Sequence, residues 1–331
     1  MVILIGLKFD IIDAMEDFFS VDPNSLTMST KSLQKVLKER GWTANFLRST
    51  HQYIFAKRPD GKLFKIVGTV PENTNVFACN IADDKYATYQ LLKNIKGVKQ
   101  AETEIATAAS VSYLLDKYGK IVIKPIDSAH GNGITTNVTT FEDAMEAIEF
   151  AKQFTSSNHV LAQQQLELTG FETRAICINY RFIEALNRIP AHVTGDGVHT
   201  VAELIEIENN TIRTEPYKSN LAFIDKKYSD QYLAEKGNAD YVPAANEKVQ
   251  VVKMCNIGRG GTVEDITDEF SEEKKALADR IARELNLPVV GIDFVGDYIL
   301  EVNASPSLYY PLDGPRASYG VEKLVDYLER P

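Results

Sequence analysis

Near its C-terminal end the chain reads GIDFVGDYILEVNASP, from Gly291 to Pro306, and three oxygen-bearing side chains there have the types a hard cation needs. Asp293 lies on one apolar run. Glu301 and Asn303 lie on the next, two residues apart and therefore on one face of a strand. Mg²⁺ takes carboxylate and amide oxygens and keeps waters and substrate phosphates as its other ligands. The plain alternative is an exposed hairpin with polar residues by chance, but such a hairpin would not need the apolar residues that surround all three positions. Val289–Val295 and Tyr298–Val302 read as strands joined at Gly296-Asp297. With a regular two-residue turn, Asp293 would face Leu300, and Glu301 would point to the other side of the sheet. A shared metal therefore requires an odd register, through a three-residue loop or a bulge, and Gly296 permits either.

Other segments carry groups suited to phosphate. Lys124 ends the apolar run IVIK and is followed by DSAHGNG, in which His130 precedes Gly131 and Gly133. Glycines let backbone N–H groups approach phosphate oxygens, and a lysine at a strand end adds a fixed positive charge. This is not a Walker loop, since no GK[ST] follows, and a plain hairpin loop is the competing reading. Lys85 falls at a helix start, where exposed lysines are common. Gln163–Gln165, followed by Leu166-Glu167-Leu168, is an unusual strand end. Its backbone and glutamines suit an adenine, and Glu172 suits ribose hydroxyls; a solvent-facing strand edge is the alternative. Arg188 opens RIPAH before the glycine pair Gly195 and Gly197, and it suits bidentate contact with phosphate or carboxylate as well as a surface ion pair. Asn256–Thr262, with Arg259, Gly260 and Gly261, is a second glycine-rich loop, either wrapping a substrate or simply turning.

The elements that must position these groups can be outlined. Ser29–Arg40 has helical spacing and ends at Gly41. Tyr53–Ala56 and Leu63–Val67 flank the turn Arg58-Pro59-Asp60-Gly61. Ala82–Lys93 and Glu104–Tyr118 read as helices and Lys120–Pro125 as a strand. Thr139 and Glu142 form a capping box for a helix over Phe141–Phe154. Strands follow at His159–Leu168 and across Arg174–Asn187, with a turn near Asn179. Thr200 and Glu203 cap a short helix through Glu208. Residues 210–245 read as one or two helices with surface connections, Val249–Met254 as a strand, and Ser271–Asn286 and Val321–Leu328 as helices. This order fits α+β layers rather than a doubly wound sheet.

Composition narrows the function. The chain has 331 residues, 44% hydrophobic and 25% charged, enough for two or three globular units. A formal net charge of -10 argues against nucleic acid or an anionic membrane as the main partner, and it means that a bound polyphosphate needs local cations. The odd set of Cys79, Cys177 and Cys255 lacks metal spacing and suggests a reducing compartment. The opening MVILIGLKFD reads as a first strand and not a signal peptide, and no segment is long and apolar enough to span a bilayer, so a cytoplasmic location is expected. No GxSxG, HExxH or kinase-type motif is present, the histidines lack metal spacing, and the single Trp42 and scattered tyrosines show no base-stacking pattern.

The ordered set DKYATYQLL, IVIKPIDSAHGNG, GFETR, NRIPAHVTGDGVHTVAELI, NIGRGGTVEDITDEF and GIDFVGDYILEVNASP resembles the ATP-grasp carboxylate–amine ligases. Within them it looks most like the ATP-grasp part of cyanophycin synthetase and of the glutathione synthetase half of bifunctional glutathione enzymes. The resemblance covers roughly residues 82–306. It implies an α+β ATP-grasp fold, with a lid and linking helices (83–168) and a C-terminal domain with an antiparallel sheet (169–331), behind the α/β N-terminal domain (1–82) that the first helix and hairpin suggest. ATP would lie between the lid and the C-terminal domain. It further implies that Lys85 and Lys124 contact ATP phosphates and that His130, Gly131 and Gly133 belong to the flap. Gln165, Glu167 and Leu168 would hold adenine, and Glu172 ribose. Asp293, Glu301 and Asn303 would hold Mg²⁺, as two ions with Mn²⁺ able to replace them. Arg188, Arg259 and Asn256 would serve the acyl phosphate, and Arg174, Arg188, Gly260, Gly261 and Ser305 the substrates.

The implied reaction joins a carboxylate to an amine, on an amino acid or peptide, through an acyl phosphate. A small-molecule kinase on the same scaffold and a non-catalytic ATP-binding regulator are the rival readings, and self-association into a homodimer is left open. Two positions depart from the usual pattern: Gln165 stands where glutamate is common, and NASPS replaces the usual N-x-x-PG.

Overall fold

A computed structural model describes residues 26–46, 52–128, 132–166, 171–214, 222–312 and 314–330. The expected first strand, together with His130, Gly131, Glu167 and Leu168, lies outside the described residues.

The first unit pairs one helix with an antiparallel sheet. Helix α1 (Met28–Glu39) is capped by Thr27, whose side chain accepts from the Thr30 N–H. Its buried face carries Leu33, Val36 and Leu37, the i, i+3, i+4 spacing of an amphipathic helix. Strands β1 (Thr43–Phe46), β2 (Tyr53–Lys57), β3 (Leu63–Val67) and β4 (Val70–Pro71) form a sheet in sequence order. The β2–β3 hairpin turns where Pro59-Asp60-Gly61 predicts it, with Gly61 at φ +88°.

Two helices follow, α2 (Val76–Asp83) and α3 (Lys85–Leu92), where the sequence suggests one. The break is Asp84, with ψ 103°, whose carboxylate accepts from the N–H groups of Tyr86 and Ala87 and so starts a new helix at Lys85. Strands β5 (Lys99–Gln100) and β6 (Thr103–Ile105) come next, then α4 (Ala108–Tyr118). The helix begins later than its apolar pattern suggests because Thr103–Ile105 pairs with a later strand and Thr107 with Ser110 makes a capping box. Strands β7 (Ile121–Pro125) and β8 (Thr135–Val138), helix α5 (Phe141–Ala151) and strand β9 (Val160–Gln164) complete the second unit. Its sheet runs β6-β9-β7-β8 and is covered by α4 and α5, with Val111, Leu114, Ile121, Ile123 and Ile148 in its core. The cap of α5 is Thr140, not Thr139: the Thr140 hydroxyl accepts from the Asp143 N–H.

The third unit contains β10 (Glu172–Ile178), β11 (Arg181–Ile189), β12 (His192–Thr194), α6 (Val201–Thr214), α7 (Lys226–Lys236), β13 (Lys248–Gln250), β14 (Thr262–Asp265), α8 (Glu272–Glu284), β15 (Val289–Val295), β16 (Tyr298–Asn303) and α9 (Tyr319–Leu328). Its six-stranded sheet runs β14-β11-β10-β15-β16-β5, antiparallel except for β5 beside β16. Helix α8 packs Leu277, Ala278, Ile281 and Ala282 on one face; α9 packs Val321, Leu324, Val325 and Leu328 on the other, together with α1. Both faces being covered, every residue of β15 is buried, and Asp293 stands in the middle of it.

Candidate active site

The register of the large sheet builds the centre of the site. Across β10 and β15, Arg174 is the Cα partner of Asp293; across β10 and β11, Glu172 is the partner of Arg188. Partners share a face, so these side chains converge. Arg174 grips Asp293 in a two-bonded fork, Nε to Oδ1 and Nη2 to Oδ2, both 2.7 Å. The Nη2 of Arg188 donates to Glu172 at 2.6 Å and to Asp293 at 2.8 Å. Burial disfavours the charge on Asp293, but the two guanidiniums outweigh it and hold the carboxyl below its usual range. Arg188 keeps one buried donor, Nε, with no partner among the described residues. An unspent buried N–H beside a cavity invites an anionic oxygen.

The β15–β16 hairpin carries the other two oxygen ligands. Phe294 pairs with Ile299, but Asp293 pairs with Glu301, so the register slips and Leu300 is the extra residue. Asp293 and Glu301 therefore lie opposite each other, as a shared metal requires. Gly291 pairs with Asn303, which continues the same face. Asn303 Nδ2 approaches Asp293 Oδ2 at 3.4 Å, and no described donor takes its carbonyl oxygen. Two carboxylates and an amide suit Mg²⁺ better than a soft metal. Asp293 is already neutralised by arginine, which leaves Glu301 and Asn303 the more available of the three. The residues fit the ion.

Two lysines complete the charge. Lys85, placed by the Asp84 cap, sets its ammonium 3.4 Å from Glu301 and donates to the Ser128 carbonyl at 2.5 Å. Lys124 is buried on β7 and donates to Gln163 Oε1 at 3.0 Å. Burial and the neighbouring charge of Lys85 push its pKa down to about 8, against the pull of Glu301. Lys85, Lys124, Arg174 and Arg188 face Glu172, Asp293 and Glu301. The local excess of positive charge suits a polyphosphate despite the acidic chain.

These groups line one cavity of about 1180 Å³ between the second unit, the large sheet and the first unit. Of the residues expected in the site, Lys85, Lys124, Gln165, Glu172, Arg174, Arg188, Asn256, Asp293, Glu301, Asn303 and Ser305 line it. Others are placed differently. Arg259 stacks on Tyr228, 3.5 Å from the ring centroid, and pairs with Asp225 at 3.1 Å. Gly260 lies against the Ile224 backbone, Gly261 against the carbonyls of Asn256 and Ile189, and Gly133, at φ +73°, against Phe154 and Pro125. A Cβ at any of these three glycines would come within 3.0 Å of a neighbour, so their smallness serves packing. Gln165 ties its amide to Asn137, accepting from the backbone N–H and donating to Oδ1. Asn256 Oδ1 accepts from the Gly258 N–H and shapes its own loop.

Part of the wall carries no signal in the sequence. Thr27, Ser29, Gln52, Gly68 and Thr69 of the first unit line the same cavity. Ser29 Oγ accepts from the N–H groups of Leu308 and Tyr309, and Thr69 Oγ1 donates to the Pro306 carbonyl, so this unit docks on the loop after β16.

Comparison with known proteins agrees with this geometry. Residues 93–203 match the family model described as the ATP-grasp domain of prokaryotic glutathione synthetase. Cyanophycin synthetase of Synechocystis sp. is 29% identical over 258 residues, covering 73% of this chain and 29% of that protein. The glutathione biosynthesis bifunctional protein GshAB of Pasteurella multocida is 28% identical over 317 residues, covering 93% of this chain and 40% of that protein. The crystal structure of a bifunctional glutathione synthetase from P. multocida superimposes with a TM-score of 0.59 at 24% identity, covering 90% of this chain and 42% of that one. The chain thus spans less than half the length of each of these relatives. Residues 93–203 are thus similar to an ATP-grasp domain, the chain shares the fold of a bifunctional glutathione synthetase, and its lysine, arginine and carboxylate sets meet on one cavity.

Proposed function

We propose that the chain is an ATP- and Mg²⁺-dependent ligase that joins a carboxylate to an amine, on an amino acid or peptide, through an acyl phosphate. The observation that carries this reading is the convergence of Lys85, Lys124, Glu301, Asn303 and the Asp293–Arg174–Arg188 cluster on one cavity. In the reaction the γ-phosphoryl passes to the substrate carboxylate and ADP leaves; the amine then attacks the acyl carbon and releases phosphate.

Lys124 and Lys85 bind and orient the phosphates. Arg188, through its unspent Nε, holds the reacting carboxylate and the negative charge that develops on it. Asp293 keeps both arginines in place. Glu301 and Asn303, with Asp293, would hold Mg²⁺, as two ions that Mn²⁺ can replace; the metal would supply charge neutralisation for the phosphates. No protein nucleophile is needed, because positioning and charge supply the catalysis. A cavity closed by the lid keeps water from the acyl phosphate.

The test is ADP and phosphate release with MgATP and a panel of amino acids and short peptides, repeated with Lys124→Ala and Glu301→Ala. The ligase reading expects release that depends on an acid and an amine together and is lost in both variants. A stable phosphorylated product with no amine requirement would establish a kinase instead.

A further inference from the structure

Three neighbouring strands of the second unit each place one residue in a row. Thr103 on β6 is the Cα partner of Gln163 on β9, and Lys124 on β7 lies diagonally beside Gln163 on the same face. The bonds run in one direction. Lys124 Nζ donates to Gln163 Oε1 at 3.0 Å, Gln163 Nε2 donates to Thr103 Oγ1 at 2.7 Å, and Thr103 Oγ1 donates to the Ala101 carbonyl at 2.9 Å.

Chemistry fixes this polarity. An ammonium has no acceptor, so the glutamine must turn its carbonyl to Lys124 and its NH₂ to Thr103. The threonine hydroxyl then accepts from the amide and has only the Ala101 carbonyl left to receive its own proton. Thr103 is 1% exposed and does not line the large cavity, so it cannot touch a ligand there. The charged neighbours of Lys124 are Lys85, which repels it, and Glu301, which attracts it.

We propose that Gln163 and Thr103 are positioning residues that aim the Lys124 ammonium at the ATP phosphates. Thr103 locks the amide of Gln163, and the locked carbonyl steadies the ammonium. This rests on the reading above that Lys124 binds those phosphates. It also gives Gln163 a role distinct from contact with adenine.

The experiment compares the affinities of the full chain for MgATP and for adenosine. The variants are Lys124→Met, Gln163→Met, Thr103→Val and Thr103→Ser. Gln163→Met and Thr103→Val should weaken MgATP about ten-fold, the size of one hydrogen bond to a charged group. Adenosine affinity should stay unchanged, and Thr103→Ser, which keeps the hydroxyl, should retain wild-type MgATP binding. A merely structural lesion would weaken both ligands together, and that result overturns the proposal. If Lys124→Met loses MgATP affinity while Thr103→Val and Gln163→Met keep it, the relay is wrong and the ATP reading stands. If Lys124→Met itself binds MgATP normally, both fall.

Discussion

Asp293 and Glu301 are Cα partners across β15 and β16 because the register slips by one residue at Leu300. The two carboxylates share a face but not an environment. Asp293 has a side chain 2% exposed and is bonded by two arginines, whereas Glu301 is 35% exposed and pairs with Lys85 at 3.4 Å. One carboxylate holds the site together, and the other is free to meet a ligand.

The two should therefore respond differently to substitution. Asp293→Ala leaves Arg174 buried without its counter-charge and Arg188 with Glu172 alone, and should cost about 3–5 kcal/mol of stability. Glu301→Gln should cost less than about 1 kcal/mol, as half-exposed pairs do, yet lower ATP-dependent turnover about 100-fold. Urea denaturation beside ADP release measures both. Equal losses of stability in the two variants would show that the division is wrong.

Lys124 gives opposite pH signs for the free and the ATP-bound protein. Its folded pKa of about 8 lies below the value of about 10.4 of an unfolded lysine. Below the folded value the ammonium is charged in both states, and the cost of burying it is fully present. Between the two values the folded protein sheds the proton first, so the contribution of this group to stability rises with pH. MgATP affinity should fall over the same interval, by up to about ten-fold per pH unit. Calorimetric titration at neutral and alkaline pH checks this, and Lys124→Met should show no such decline.

Glu184 offers a test away from the cavity. It is 0% exposed, and neither carboxylate oxygen has a hydrogen-bond partner among the described residues. Burial raises its pKa to about 8, against the opposing pull of Arg316. Its protonated form is therefore favoured in the folded state. This stabilises the fold at acid pH and is lost as pH climbs from about 4.3 towards that folded value. Glu184→Gln should remove the loss and gain on the order of 2–4 kcal/mol at mildly alkaline pH, with little gain near the unfolded pKa. Thermal denaturation over that range reads the difference.

The Asp84 cap should matter twice. Asp84→Ala removes the acceptor for the Tyr86 and Ala87 N–H groups and should cost about 1 kcal/mol. It also frees the first turn that carries Lys85, so MgATP should bind several-fold more weakly. Asp84→Asn, which keeps a capping oxygen, should restore most of both.

Local signals were the legible part. The strands Leu63–Val67 and Val289–Val295, the Gly296-Asp297 turn, the Thr200–Glu203 cap and the need for a slipped register at Asp293 follow from residue type and alternation, whereas the strand expected over Val249–Met254 covers Lys248–Gln250 and the one expected over His159–Leu168 covers Val160–Gln164. The helix break at Asp84 was hidden, because the apolar pattern runs through it while a single carboxylate decides it. The pairing of Arg174 and Arg188 with Asp293 was not readable, since it depends on the registers of three strands distant in sequence. Arg259 and its glycines looked like a binding loop, yet long-range contacts with Tyr228, Asp225 and Ile224 occupy them. Glutamine spacing singled out Gln163–Gln165 but gave no hint that one would serve a lysine and another an asparagine.

The last helix, α9, supplies Val321, Leu324, Val325 and Leu328 to the same apolar cluster as Leu33, Leu37 and Ile54, and Arg40 reaches across to Glu322, Asp326 and Glu329. During synthesis the front of the chain emerges long before the piece that seals it. Helix α1 and the β2–β3 hairpin therefore lack part of their apolar covering until residue 328 has left the ribosome.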